Sequence, residues 1–390
     1  MRLSSLLWAI SAHFPIVIFQ FLILTLTGCK NDVNEQTSVK PAPYVFADLD
    51  QFPKKLNIPD FNPTTVEGVR LGRFLFYDGR ISGRLDSDSL MSCASCHVQE
   101  RGFKCGLDHP IYKGHPFGLP SVDFPHGTLT PHVMLSLINT VYNSNGYLWN
   151  GGAQTIESIV AAVITDPHEI NGSVDKTVYL IASDPMYRPM FKAAFGSEEV
   201  NINRISNAIA QFVRTIIAYR FKFYDYVQHK ASLTPAELKG YEMFYSEKAD
   251  CFHCHAGSLL MTTTNYYNNA KDTVFSDPLD RYSVTGNTED KGAYRAPSLI
   301  NCELNAPYMH DGRFITLDEV IDFYSEGLKY SDNVSPMMTY VRNGGNHLSP
   351  EEKAELKSFL LTLTDHALLT DSTYSCPEAL GTWGIKPPAY

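Results

Sequence analysis

Cys-x-x-Cys-His occurs twice in this chain, as Cys93-Ala-Ser-Cys96-His97 and as Cys251-Phe-His-Cys254-His255. The pattern is the attachment signature of a c-type haem. Two thiols add to the porphyrin vinyl groups, and the histidine after them binds the iron from the proximal side. The competing interpretation is a zinc site made of two Cys-x-x-Cys knuckles. Those knuckles normally stand roughly 15–20 residues apart and need no histidine directly after each. Here the motifs lie in different halves of the chain and both carry the histidine. Two covalently bound c-type haems are the expected cofactors.

Residues 1–29 read as a lipoprotein signal peptide rather than as fold. Arg2 supplies the positive end, and the apolar run Ile16 to Leu26 is shorter than the ~20 residues of a membrane span. Leu26-Thr27-Gly28-Cys29 resembles a bacterial lipobox, with Cys29 as the lipid anchor. The alternative is an ordinary signal peptide with an unrelated cysteine. Either way the chain is expected to be exported, on the periplasmic side of a bacterial membrane, which fits c-type haem attachment. The polar residues 30–50 read as a tether. Against 42 acidic residues there are 32 Lys and Arg, a formal charge of −10, and no basic patch. Nucleic acid is therefore excluded as a partner, whereas a mildly acidic surface suits a basic redox partner. Beyond the haem motifs and Cys29, Cys105, Cys302 and Cys376 remain. They allow one disulfide plus a free thiol, or three buried thiols.

The remaining length suits two domains. One spans 51–232 around the first motif and one spans 233–375 around the second, followed by a tail at 376–390. The class is mainly α. A helix is expected after Asn201 or Asn203, with Ile205, Ile209, Phe212 and Ile216 on its apolar face. As one helix over 201–229 it would join the halves. Thr234-Pro-Ala-Glu237 is a capping box with Pro at the first helical position. Thr316-Leu-Asp-Glu319 and Ser349-Pro-Glu-Glu352 open two further helices, the former stopping near Gly327. The long stretches 104–131 and 256–296, rich in Gly, Pro, Asn and Asp, suit ordered loops around a haem. Outside the motifs the halves share little sequence.

Several longer runs carry a family resemblance. They are Val69 to Asp78 leading into Ser92–His97, then Leu137-Ile138-Asn139, Trp149-Asn150-Gly151 and Asp166-Pro167-His168-Glu169. The most specific are Lys291-Gly-Ala-Tyr-Arg295-Ala-Pro297-Ser-Leu299-Ile-Asn301 and Ala306-Pro307-Tyr308-Met309-His310-Asp311-Gly312-Arg313. With these the chain resembles the bacterial di-haem cytochrome c peroxidase family, which includes MauG and related protein-tryptophan oxidases. The resemblance covers most of the chain after residue 50. It implies two cytochrome c-like haem domains with long ordered loops.

The resemblance also assigns roles. The haem of Cys93, Cys96 and His97 corresponds to the peroxidatic haem. Glu169 falls where the family has its distal acid, a group able to move a proton between the two peroxide oxygens. Trp149 falls between the haems, where an indole can relay an electron. His126 falls where peroxidases have a distal histidine ligand, with His109, His115 and His132 as competitors. The haem of Cys251, Cys254 and His255 corresponds to the electron-transfer haem. Its sixth ligand is methionine in typical peroxidases and tyrosine in MauG, and Tyr324 stands at that place. Leu317, Val320, Ile321 and Tyr324 share one helix face, and Met309, Met337 and Met338 are alternative ligands. Methionine raises a haem potential, and an anionic oxygen donor lowers it.

Two departures stand out. Ile159 replaces the usual distal glutamine. Val133 replaces an asparagine ligand of an interdomain calcium and Asn305 replaces a threonine, leaving the Pro307 carbonyl of a weakened site. The implied activity is reduction of hydrogen peroxide at the N-terminal haem, with electrons from a small redox protein, a cytochrome c or a cupredoxin. The first rival is a MauG-like oxidase of tryptophan or tyrosine on a partner protein. The second is a non-enzymatic electron carrier, which has no use for Glu169.

Overall fold

Short polar residues set the helix starts. The computed structural model describes residues 40–105, 117–118, 128–130, 132–256 and 265–385. Thr65 accepts from the Gly68 N–H at the head of α1 (Val66–Tyr77). The first haem motif supplies α2 (Cys93–Cys96), a single turn. Strands β1 (Phe117–Gly118) and β2 (Thr128–Leu129) pair antiparallel. Thr155, Ser173 and Asn201 cap α3 (Ile156–Thr165), α4 (Val174–Ser183) and, past α5 (Tyr187–Phe195), α6 (Ile202–Arg214). A short α7 (Lys222–Val227) follows. The capping box of Thr234 and Glu237 opens α8 (Pro235–Phe244), and the second haem motif supplies α9 (Phe252–His255). Strand β3 (Tyr266–Tyr267) pairs antiparallel with β4 (Tyr294–Arg295), with α10 (Tyr282–Thr285) between them. Capping boxes at Thr316 and Ser349 open α11 (Leu317–Glu326) and α12 (Pro350–Leu361), and Gly327 ends α11. Each such cap contributes about 1 kcal/mol by satisfying an orphan N–H.

One expectation is corrected. The stretch 201–229 is not a single helix, because α6 stops at Arg214 and α7 starts only at Lys222. Thr215, Ile216 and Ile217 are a β-branched run, poorly suited to a helix interior. The Thr215 hydroxyl donates to the Phe212 carbonyl at 2.7 Å, and the Ala218 N–H goes to Asn139 Oδ1 at 3.1 Å instead of up the helix. Ile216 still reaches the core, fully buried, from beyond the helix end.

The two halves repeat one packing unit that their sequences conceal. In the first, α1 crosses α6 at Gly72, where a Cβ would overlap the Ala208 carbonyl and lie 2.9 Å from Phe212 Cβ. In the second, α8 crosses α12 at Gly240, where a Cβ would overlap the Glu355 carbonyl and again lie 2.9 Å from a phenylalanine Cβ, that of Phe359. One turn on from each glycine, Phe76 meets Phe212 edge-on at 5.2 Å and Phe244 meets Phe359 at 5.3 Å. All four rings are buried. The repeat continues at Leu-Ile-Asn. Asn139 and Asn301 both adopt left-handed backbone, at φ 62° and φ 60°. Their N–H groups bond to the carbonyls of Ile216 and Leu363, and their side chains accept from the N–H groups of Ala218 and Asp365. The apolar interior is continuous across both halves, and the described residues pack as one unit. No helix among the described residues is long and apolar enough to cross a membrane.

The glycine crossings yield a test. Gly72→Ala and Gly240→Ala each force two helix backbones apart, and overpacking of this kind costs about 2 kcal/mol. Urea unfolding should show that loss for each variant.

Candidate functional site

The first haem motif presents thiols and an imidazole suited to thioether and iron bonds. Ser95 Oγ accepts from the Ser92 N–H at 3.0 Å, holding the turn of α2 closed. Cys93 and Cys96, three residues apart, share one side of that turn. Burial pushes the Cys93 thiol up to about 12. His97 Nδ1 donates to the Phe103 carbonyl at 2.9 Å, which leaves Nε2 with its lone pair for an iron. Burial lowers His97 to about 4, so the ring is neutral. The zinc interpretation fails on geometry: among the described residues, no convergence of three metal-ligating side chains includes any cysteine of either motif.

In the second motif burial, helped by the Asp250 charge, holds Cys251 and Cys254 at about 12. Tyr324, on α11, lies near these thiols. Asn269 Nδ2 donates both to the Tyr324 hydroxyl at 3.2 Å and to Met309 Sδ at 3.4 Å, so the two candidate ligands lie side by side. Burial raises Tyr324, and the Asn269 bond opposes the shift. Leu317 and Ile321 on the same face are buried, whereas Tyr324 is only partly covered by protein. Its hydroxyl end lies on the side of α11 that faces the motif.

The halves exchange matching turns. Bridges Tyr147–Ala153 and Tyr308–Phe314 close two loops of the same form, with Leu148 and Met309 both left-handed. Trp149 occupies in one loop the place that His310 occupies in the other. The Val133 N–H bonds to the His310 carbonyl and the Arg295 N–H to the Trp149 carbonyl, each at 2.8 Å. Trp149 Nε1 donates to the Val133 carbonyl at 2.8 Å, and its ring meets the His310 ring edge-on at 6.4 Å. Trp149 is thus held between the halves. Each loop then enters a helix after a threonine cap, α3 in one half and α11 in the other. At the position where α11 carries Tyr324, α3 carries Val163. Ile159, one turn earlier, shares its partly buried apolar face.

Glu169 lies in the turn that follows α3. Its N–H bonds to the Asp166 carbonyl at 3.0 Å, and Arg84 fastens the next residues through the carbonyls of Ile170 and Asn171. Burial, reinforced by the Asp166 charge, pushes Glu169 up to about 8. Glu169 and Trp149 flank opposite ends of α3, about 15 Å of helix. His126, with its competitors His109 and His115, lies outside the described residues, as does Cys29. His132 is described, and its Nε2 pairs with Asp277 at 2.5 Å. No disulfide joins Cys105, Cys302 and Cys376.

Three features escaped the sequence. Nε and Nη1 of buried Arg295 have no hydrogen-bond partner among the described residues. A haem propionate is the kind of group that would satisfy them, and Arg295 lies in the most specific family run. A polar cluster joins His132, Asp277, Tyr294 and His310. Burial and the neighbouring Lys271 lower His310 to about 3. Third, the buried Lys104 amino group, its pKa lowered by burial to about 7, donates to the carbonyls of Asn305 and Pro307, the latter at 2.9 Å. Calcium needs six to eight oxygen ligands. Val133 offers none from its side chain, and the carbonyls of Asn305 and Pro307 already accept from the Lys104 side chain. The described residues therefore do not fit calcium. A single lysine in a loop gives no sequence signal of this, since only the fold brings it to those carbonyls.

Comparisons with known proteins agree with this geometry. The family description "Di-haem cytochrome c peroxidase" matches residues 66–232. The chain is 32% identical to cytochrome c551 peroxidase of Nitrosomonas europaea over 270 residues, 67% of this chain and 73% of that one. It is 29% identical to the methylamine utilization protein MauG of Methylorubrum extorquens over 312 residues, 80% of this chain and 82% of that one. Among solved structures, a MauG-like protein associated with microbial copper homeostasis is similar at a TM-score of 0.74 and 30% identity, covering 85% of this chain and 99% of the other. The chain belongs to the di-haem cytochrome c peroxidase family. It is an oxidoreductase of the cytochrome c peroxidase type, and the residues of both motifs are consistent with the two c-type haems of that family.

Chelation should therefore leave the haem spectra and thermal melting of the protein unchanged. Lys104→Met strands two buried carbonyls and should cost about 2 kcal/mol in urea unfolding. Added calcium should not recover it.

Proposed function

We propose that this chain reduces hydrogen peroxide to water at its N-terminal haem site, with electrons arriving through the C-terminal site from a small redox protein, a cytochrome c or a cupredoxin. The observation that carries this reading is the inequality of equivalent positions. Where α11 aims Tyr324 at the second motif, α3 has Val163, which cannot ligate a metal. On α3 the partly buried Ile159 and Val163 present an apolar face with no side chain able to ligate iron. A haem held at the first motif supplies the iron at which the O–O bond of peroxide is cleaved.

Glu169 supplies the proton shuttle. It takes a proton from the near peroxide oxygen and returns it to the departing one, so it must begin as the carboxylate. Burial of the turn after α3 brings its titration close to working pH. Trp149 serves as the electron relay between the halves. Its Nε1–H bond to Val133 fixes the indole, and its carbonyl anchors β4. Tyr324, oriented by Asn269, would offer its phenol oxygen to the iron of a haem held at the second motif. The N-terminal 29 residues export the chain, with Cys29 as its lipid anchor on the periplasmic side.

A second reading has one feature in its favour. A tyrosine donor lowers the haem potential where methionine would raise it, which disfavours electron uptake from a small cytochrome. Oxidising power would then be spent on a tryptophan or tyrosine of a partner protein. The similarity to MauG supports this reading too.

Both readings share one test of the acid. Glu169 titrating near 8 is mostly protonated at neutral pH, so the active carboxylate fraction grows roughly tenfold per pH unit below that value. Stopped-flow rates of the peroxide reaction should climb with pH and level off above about 8. Glu169→Gln should abolish the reaction while retaining both haems, and turnover surviving in that variant would remove Glu169 from the mechanism. Tyr324→Met should raise the potential of the C-terminal haem in a redox titration. An unchanged potential would exclude Tyr324 as its ligand. Rapid turnover with reduced cytochrome c would select the first reading over the second.

A further inference from the structure

Tyr294 stands one residue before Arg295, whose N–H holds the Trp149 carbonyl. Its ring stacks on His310 with centroids 3.6 Å apart and planes 17° from parallel. The other side of this contact leads to Trp149, edge-on to His310 at 6.4 Å. Three aromatic rings therefore run in contact from the indole between the halves to Tyr294. The phenol donates to Asp277 Oδ2 at 2.5 Å, the length of a charge-assisted O–H···O⁻ bond. The same oxygen receives His132 Nε2 at 2.5 Å, and Asp277 Oδ1 accepts from the Leu279 N–H at 2.9 Å. Tyr294, His310, Asp277, Asp272 and Arg313 line one cavity of about 270 Å³. The burial of Tyr294 and its bond to Asp277 keep the resting phenol protonated.

A core tyrosine needs one partner for its hydroxyl, and a backbone carbonyl would suffice. This one has an ionised carboxylate, itself held by a histidine, and sits in a ring stack that ends at Trp149. We propose that Tyr294 is a redox relay that carries oxidising equivalents from Trp149 to this cavity, with Asp277 as its proton acceptor. The proposal rests on the reading that peroxide is the oxidant.

The step balances. Tyr294 gives one electron to the oxidised indole of Trp149, and its O–H bond breaks. The proton passes to Asp277 Oδ2, where His132 also bonds. The products are the neutral indole, a neutral phenoxyl radical and a protonated Asp277. An oxidised phenol is a far stronger acid than a carboxylic acid, so the transfer is downhill even though Asp277 is ordinarily a weak base. At the cavity a phenol or indole side chain of a partner protein, the substrate of the second reading, then gives one electron to the phenoxyl and loses its own proton to water, while Asp277 returns its proton to Tyr294. Two such cycles supply the two electrons that turn one hydrogen peroxide and two protons into two waters.

Freeze-quench electron paramagnetic resonance on the full di-haem chain, one equivalent of hydrogen peroxide being added, tests the relay. Optical spectra of the haems are taken on the same samples. A tyrosyl signal that is lost in Tyr294→Phe, which keeps the ring, and weakened in Asp277→Asn is the expected result. If the haem spectra respond to peroxide but the tyrosyl signal persists in Tyr294→Phe, or never forms, the relay is overturned and the peroxide reading stands. If the haem spectra do not respond, the peroxide reading fails, and a flash-oxidised ruthenium polypyridyl probe decides the relay separately. Loss of tyrosyl yield in Tyr294→Phe under the flash supports it, and equal yields in both proteins overturn it.

Discussion

Two helix crossings without room for a Cβ hold this molecule together. At Gly72 and at Gly240 one helix lies against the backbone of another, and a phenylalanine pair closes each crossing one turn further on. The rest of each half hangs from that contact. The crossing helices end at Thr215 and Thr362, whose hydroxyls turn back on the Phe212 and Phe359 carbonyls. The chain beyond them then meets the Leu-Ile-Asn segment of its own half through paired asparagine bonds. A haem motif follows the first helix of each pair, so the crossing also sets where each haem belongs.

The halves are joined by symmetry and then made unequal by side chains. Val133 bonds to the loop of His310 as Arg295 bonds to the loop of Trp149, and these equal bonds place the two rings in contact. Two near-copies of a fold meeting this way could have held two equivalent sites. Three exchanges prevent it. Valine faces tyrosine at positions 163 and 324, histidine faces tryptophan at 310 and 149, and histidine faces tyrosine at 132 and 294. The first puts a phenol in one half where the other half has only an aliphatic side chain. The other two bring Trp149, His310, Tyr294, His132 and Asp277 into one connected set of rings and protons. Lys104 stitches the loop after His97 to the loop before His310, in a place where a divalent cation would otherwise need ligands that this chain has lost.

Much of this was legible in the primary structure because the governing signals are local. Capping boxes at Thr234, Thr316 and Ser349 mark helix starts, since the cap and its acid lie within one turn. The spacing of Cys93, Cys96 and His97 is set within five residues. Where the signal was not local, reading failed. The stretch after Asn201 looked like one helix because its apolar period runs through Ile216, and only the Asn139 bond to Ala218 from the other side of the half ends it. The duplication was hidden because packing preserves a glycine, two phenylalanines and an asparagine per half and lets the rest drift.

The sequence by itself determined the two haem-attachment motifs, the helical class, the family and the candidacy of Glu169, Trp149 and Tyr324. These follow from short spacings and from runs of adjacent residues. Only the tertiary structure decided which groups share a space. It paired Lys104 with carbonyls two hundred residues away, set Asn269 between Tyr324 and Met309, and stacked Tyr294 on His310 over Asp277. Such partners come from distant segments whose meeting is fixed by the backbone bonds between the halves. A hydrogen bond or a ring stack depends on position within a few ångströms, and no one-dimensional spacing encodes that.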